Sequence, residues 1–137
     1  MVVVSVVALL GALAYPSYVG QVRKARRSDI QGELMGVAQF MERLYSETGC
    51  YNPGGDNDCA DADDQAAPSL GISNDYYTVS FQGTVTADTF KIRATPKSTG
   101  PQAGDGYLEI DQLGRRYWDQ NNNGNTGDSG ESDWFQG

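Results

Sequence analysis

The sequence contains no histidine among its 137 residues. That absence removes the commonest general base, the usual zinc ligand, and any nucleophile that relies on a neighbouring imidazole. Only two cysteines occur, Cys50 and Cys59, too few to complete a zinc site without histidine. No glycine-rich phosphate loop and no nucleophile motif is found, so nothing in the sequence points to an enzyme. Charge is missing altogether ahead of Arg23. Positive charge is scarce later on: residues 50–137 carry five Lys/Arg against fourteen Asp/Glu, within an overall net charge of −8. Such an acidic region stays soluble and repels nucleic acid. A long hydrophobic run is also lacking. Met1 to Tyr15 rises only about 22 Å as a helix, against the roughly 30 Å of a bilayer's hydrocarbon core.

The short run is nevertheless apolar on every side. Val2, Val3, Val4, Val6, Val7, Leu9, Leu10 and Leu13 leave no polar face, so a helix built from them must be enclosed by lipid or by other protein. Gly11 and Pro16 weaken it at defined points, because proline lacks the N–H and collides with the carbonyl four residues back. A kink or unwinding is expected between them. Beyond Pro16 the pattern becomes amphipathic. Ile30, Leu34, Val37, Ala38, Met41, Leu44 and Tyr45 recur at spacings of three and four, which predicts a helix to Thr48 that Gly49 terminates. Arg23, Lys24, Arg26 and Arg27 form a basic cluster. It reads either as a solvated helix face pairing with Asp29 and Glu33 or as a contact for anionic headgroups or an acidic neighbour. As a topology signal it would place the rest of the chain in the cytoplasm.

Cys50 and Cys59 bracket a Gly/Asp/Asn/Pro segment. A disulfide between them would close a loop of about ten residues, worth roughly 3 kcal/mol of loop entropy, and would require an oxidising compartment. Two free thiols are the alternative. Residues 49–75 form a long connection in which Asp56, Asp58, Asp61, Asp63 and Asp64 crowd together as a solvated acidic loop. From Tyr76 the period changes to two. Segments 76–82, 89–95, 107–111 and 115–118 predict an antiparallel meander, its apolar face set by Tyr77, Val79, Phe81, Phe90, Ile92, Ala94, Leu108 and Ile110. The opposite face, with Lys91, Arg93 and Glu109, suits water or a neighbour. The fold class is therefore α+β, a long N-terminal helix packed on a four-stranded antiparallel sheet. Residues 1–22 form an apolar stem. Residues 23–137 form a globular head, made of helix 23–48, loop 49–75, meander 76–118 and a C-terminal loop 119–137.

The aspartates of the 49–75 connection could also hold a cation but lack a glycine-centred ligand spacing; the last loop has one. Asp119, Asn121 and Asn123 stand at alternate positions with Gly124 next, the opening of an EF-hand calcium loop. The closing acid at the twelfth position is absent, since Gly130 stands there and Glu131 follows. Asn125, Asp128 and Glu131 complete the candidate ligands for calcium, against an Asn/Gly-rich turn that needs no metal. Trp134 and Phe135 are expected to pack the tail against the sheet edge.

Three stretches give the chain a resemblance to the type IV pilins. These are Ala14-Tyr-Pro-Ser-Tyr18; the helix Ser28-Asp-Ile-Gln-Gly-Glu-Leu-Met35 continued by Glu42-Arg-Leu-Tyr45 and Gly49-Cys-Tyr51; and Ala94-Thr-Pro96 followed by Gly104-Asp-Gly-Tyr-Leu-Glu-Ile-Asp111 and Gly114. In that family a Phe-Thr-Leu-Ile-Glu stretch precedes the apolar run, so Met1 lines up inside the mature helix and the docking glutamate matches no residue here. The resemblance implies a structural subunit of an extracellular, cell-surface filament, a helical homo-oligomer whose core holds the apolar stems. It implies an inner-membrane stage before assembly, dependence on the pilus assembly machinery, and roles in adhesion, motility or DNA uptake. Because pilin topology is set by a removed leader, the basic cluster would then not hold the head in the cytoplasm. Pro16 matches the family's helix-breaking proline. Many pilins clamp a C-terminal loop with a disulfide, whereas both cysteines here precede the sheet. Two alternatives stand beside this: a type II secretion pseudopilin with a calcium-binding C-terminal loop, or a minor pilin acting as a binding module for DNA. Specific nucleic-acid binding is not expected from the acidic head.

Overall fold

The computed structural model describes residues 2–54, 59, 67–72 and 74–134, with side chains from residue 18 onward. One helix, α1 (Val2–Thr48), is followed by four strands: β1 (Tyr77–Phe81), β2 (Lys91–Pro96), β3 (Leu108–Asp111) and β4 (Arg116–Trp118). The helical assignment runs through Gly11 and Pro16, where the sequence predicts a kink or unwinding. A helix can carry a proline at the loss of one hydrogen bond, with a bend. The side chains of the apolar stem, including the expected filament-core positions Val2 to Leu13, lie outside the described residues. So do most of the aspartate-rich stretch of the 49–75 connection, and Phe135. Among the described residues no helix is long and apolar enough to cross a membrane.

The amphipathic half of α1 buries the predicted stripe. Ile30, Leu34 and Met41 are wholly inaccessible and Val37 nearly so, with Ala38 partly covered beside them. The stripe then runs out. Leu44 is half-buried, and Tyr45 is exposed at the surface, stacking on Tyr51 with ring centroids 4.7 Å apart. Gly49 ends the helix at a φ of 89°, donating its N–H to the Tyr45 carbonyl at 2.8 Å. A left-handed residue at this place is the usual helix stop and suits glycine.

The strands form an antiparallel meander in the order β1-β2-β3-β4. Its register aligns Val79, Ala94, Leu108 and Trp118 in one row across the sheet. Alternation along the strands puts Ile92 and Ile110 on the same face, and these side chains meet the helix stripe in a single core. The opposite face departs from the expectation of water. All four residues of β3 are buried. The Glu109 carboxylate, 2% exposed, is clamped by Arg93 at 2.7 Å and Lys91 at 3.8 Å. The Arg93 guanidinium also lies 3.8 Å over the Tyr107 ring. Long cationic side chains fold their apolar stems over the central strand, so the second face is covered at β3, while Thr78 and Ser80 of β1 stay exposed.

Candidate functional site

The helix and the meander are joined by polar groups as well as by the core. Arg27, one turn before the buried stripe begins, directs its guanidinium at Asp105 in the turn ahead of β3. Nε reaches Oδ2 at 3.0 Å and Nη2 reaches Oδ1 at 2.5 Å. This two-point fork is the strong geometry for arginine and carboxylate. The same guanidinium lies 3.7 Å over the Trp118 ring, and the Trp118 indole N–H donates to the Asp105 carbonyl at 2.8 Å. Tyr77 donates its hydroxyl to Asp105 Oδ2 at 3.2 Å. Gln102, fully buried, donates to the Tyr77 oxygen at 3.0 Å and to the Arg23 carbonyl at 3.2 Å. Burial pushes the Tyr77 phenol up to about 12, with Asp105 adding to the rise and the Gln102 hydrogen bond opposing it.

Gly106 explains how this joint reaches the tail. Its φ is 74°, and a Cβ built on it would stand 1.7 Å from the Asp119 carbonyl oxygen. Only glycine lets β3 and the start of the C-terminal loop approach so closely. The Asp119 N–H then donates to the Tyr107 carbonyl at 3.0 Å. Asp105, Gln102 and Gly106 do not stand out in the sequence as site residues, and Arg27 does so only as one of the basic cluster, not as a partner of Asp105. The one available signal is the acid between two glycines in Gly104-Asp-Gly106.

The two cysteines are bonded, Cys50 to Cys59. The bridge holds the chain just beyond the helix, where Tyr51 packs edge-on against Phe90 at 4.7 Å and donates its hydroxyl to Glu42 at 2.8 Å. Burial, followed by that glutamate, raises the Tyr51 phenol well above its ordinary value.

The tail loop is ordered by its own side chains. Asp119 Oδ1 accepts the Asn123 N–H and Oδ2 accepts the Gly124 N–H, each at 2.9 Å. The side-chain oxygens of Asn121, Asn123 and Asn125 accept the N–H groups of Asn123, Asn125 and Gly127, at 2.9, 2.8 and 3.0 Å. Both amide nitrogens of Asn121 and Asn123 donate to Asp128 Oδ2, at 2.9 and 2.7 Å, and hold that carboxyl below the usual carboxylate range. Glu131 enters from the far end, its Oε1 accepting the Asn121 N–H at 3.3 Å. Its carbonyl accepts the Trp118 N–H at 3.0 Å, so the tail lies along β4. Trp134 is buried as the sequence predicts and donates to the Tyr117 carbonyl at 2.9 Å. Among the described residues no group of three or more His, Cys, Asp or Glu is gathered in the manner of a metal cluster. Three asparagine oxygens share the loop with the carboxylates of Asp119, Asp128 and Glu131.

Residues 16–106 match the family model described as type IV minor pilin ComP, DNA uptake sequence receptor. The fold is similar to the crystal structure of the non-core minor pilin PilV of Neisseria meningitidis, with a TM-score of 0.53 at 24% identity over 70% of this chain and 85% of that one. It is also similar to a type IV pilin from Shewanella oneidensis, with a TM-score of 0.50 at 27% identity over 69% of this chain and 89% of that one. No curated protein matches the sequence.

Proposed function

This chain belongs to the type IV minor pilin family, and from that premise we propose that it is a subunit of an extracellular type IV pilus, carried into the filament by its apolar N-terminal helix. The observation that carries the reading is the extent of the match, which runs from Pro16 in the stem to Gly106 at the helix–sheet joint. The rest of the helix supports it. Tyr18, Val19, Met35 and Phe40 remain exposed on α1, outside the stripe that the sheet covers, and such apolar surface suits neighbouring subunits. Before assembly the stem sits in the inner membrane. In the fibre, stems of other pilin subunits enclose Val2, Val3, Val4, Val6, Val7, Leu9, Leu10 and Leu13, and Gly11 and Pro16 give the helix a place to yield. The test is solubility of the intact chain. It is expected to need detergent and to sediment once detergent is removed; a stable monomer in plain buffer would overturn the proposal.

A second reading is DNA capture, favoured by one observation, the description of the matching family as a DNA uptake sequence receptor. The charge arrangement weighs against it. Lys91 and Arg93 are drawn onto Glu109, Arg115 onto Asp111 and Lys97 onto the Asn74 carbonyl. Cations engaged in this way are not arrayed as a basic stripe for phosphates. Fluorescence anisotropy with short duplexes at low salt separates the two readings: no binding favours the purely structural subunit, and saturable binding favours the receptor.

A further inference from the structure

Two acids of the tail loop are buried, Asp119 at 1% exposure and Glu131 at 2%. Their situations differ. Asp119 has both oxygens satisfied by backbone N–H groups. Glu131 has a single long hydrogen bond, from the Asn121 N–H to Oε1 at 3.3 Å, and its Oε2 is buried with no partner among the described residues. A carboxylate oxygen shut away from water with nothing to bind is unfavourable, and a cation bound beside it would relieve that cost. The ion pairs of the described residues use Asp105, Glu47, Glu109 and Asp111 as their acids, and none involves Asp119, Asp128 or Glu131.

From the buried, half-satisfied Glu131 aimed into the loop, we infer that residues 119–131 bind one calcium ion through oxygens of Asp119, Asn121, Asn123 and Glu131. The donor set is all oxygen, as a hard cation requires, and calcium accepts about six to eight such ligands in irregular geometry. Each asparagine oxygen that accepts one backbone N–H keeps a second lone pair. Asp128, by holding the amide nitrogens of Asn121 and Asn123, fixes which end of each amide is presented as oxygen; it is a positioning residue. Asn125, whose oxygen accepts the Gly127 N–H in the same way, is not one of the amides that Asp128 holds and stands outside the set. Magnesium, smaller and strictly octahedral, fits such a loop poorly. The inference does not depend on the pilus reading.

The test is calorimetric titration of the full chain in detergent with calcium chloride and, separately, magnesium chloride, together with melting curves in each. Saturable binding of one calcium is expected, with a dissociation constant of about 0.1–1 mM as for extracellular modules, a rise in melting temperature with calcium, and little response to magnesium. Glu131→Gln keeps the acceptor for Asn121 but removes the charge. It is expected to weaken calcium binding at least about tenfold while leaving the metal-free melting temperature unchanged or raised, because the unpaired buried charge is gone. Absence of saturable heat and of any melting shift in the native chain overturns the inference. So does an equal response to magnesium, or native-like calcium binding by Glu131→Gln.

Discussion

Arg27 and Asp105 are separated by 78 residues in the chain and meet as a two-point ion pair between the helix and the turn ahead of β3. The pair has little contact with water, the side chains being 16% and 7% exposed. It is the polar counterpart of the apolar core, fixing how far along and at what rotation the helix lies on the sheet.

Removing one partner strands the other. Arg27→Ala is expected to destabilise the fold by about 3 kcal/mol, the usual result of leaving a buried charge unpaired. Arg27→Lys should cost less, keeping the charge but losing the fork and the stacking on Trp118. Adding Asp105→Asn to Arg27→Ala should recover part of the loss. Urea unfolding midpoints of the four proteins measure this.

Gly106 and Gly104 both adopt left-handed backbone, with φ of 74° and 77°, yet they should respond differently to alanine. At Gly104 nothing lies within 4 Å of the added carbon, so the cost is that of the conformation alone, about 1 kcal/mol. At Gly106 the carbon meets the Asp119 carbonyl at 1.7 Å, and the loop must move. Gly106→Ala should exceed Gly104→Ala by at least about 1 kcal/mol in the same unfolding measurement.

The Cys50–Cys59 bridge spans a sequence separation of 9. Its reduction, or paired replacement by serine, should lower stability by about 3 kcal/mol on the loop-entropy estimate. Melting curves with and without dithiothreitol check this, and the serine protein should show no response to the reductant.

Tyr77 makes stability depend on alkaline pH. Its phenol is raised from 10.0 to about 12 in the fold, so the folded state holds the proton more tightly than the unfolded chain. That contribution is present in full below pH 10.0 and disappears as pH rises toward 12. Tyr77→Phe is expected to be less stable at neutral pH, having lost its bonds to Asp105 and Gln102. The gap to the native protein should narrow as pH climbs through this window, because the variant has no such proton to release. Other shifted phenols, such as Tyr51, cancel in the comparison.

Local periodicity explains what was legible in advance. Ile30, Leu34, Val37 and Met41 announce their helix face by spacing alone, and the alternation at Ile92, Ala94, Leu108 and Ile110 announces the meander. The disulfide was one of two open readings. The closure of the second sheet face around Glu109 was not legible, because Lys91, Arg93 and Glu109 alternate as solvent-facing residues do; only the cross-strand register of Arg93 with Glu109 brings them together. The Arg27–Asp105 joint was hidden for a similar reason, since pairs formed across most of the chain leave no local pattern. In the tail the alternate oxygens were readable, but the burial of Glu131 depends on its backbone running beside Trp118.

The central claim is that this chain is built into a pilus, and the most direct measurement is mass spectrometry of fibres sheared from the surface of cells that make it, with immunogold labelling of the head on the same fibres. The account predicts head peptides in the washed fibre fraction and gold along the filaments. Head peptides confined to the soluble and membrane fractions, with unlabelled fibres, would contradict it.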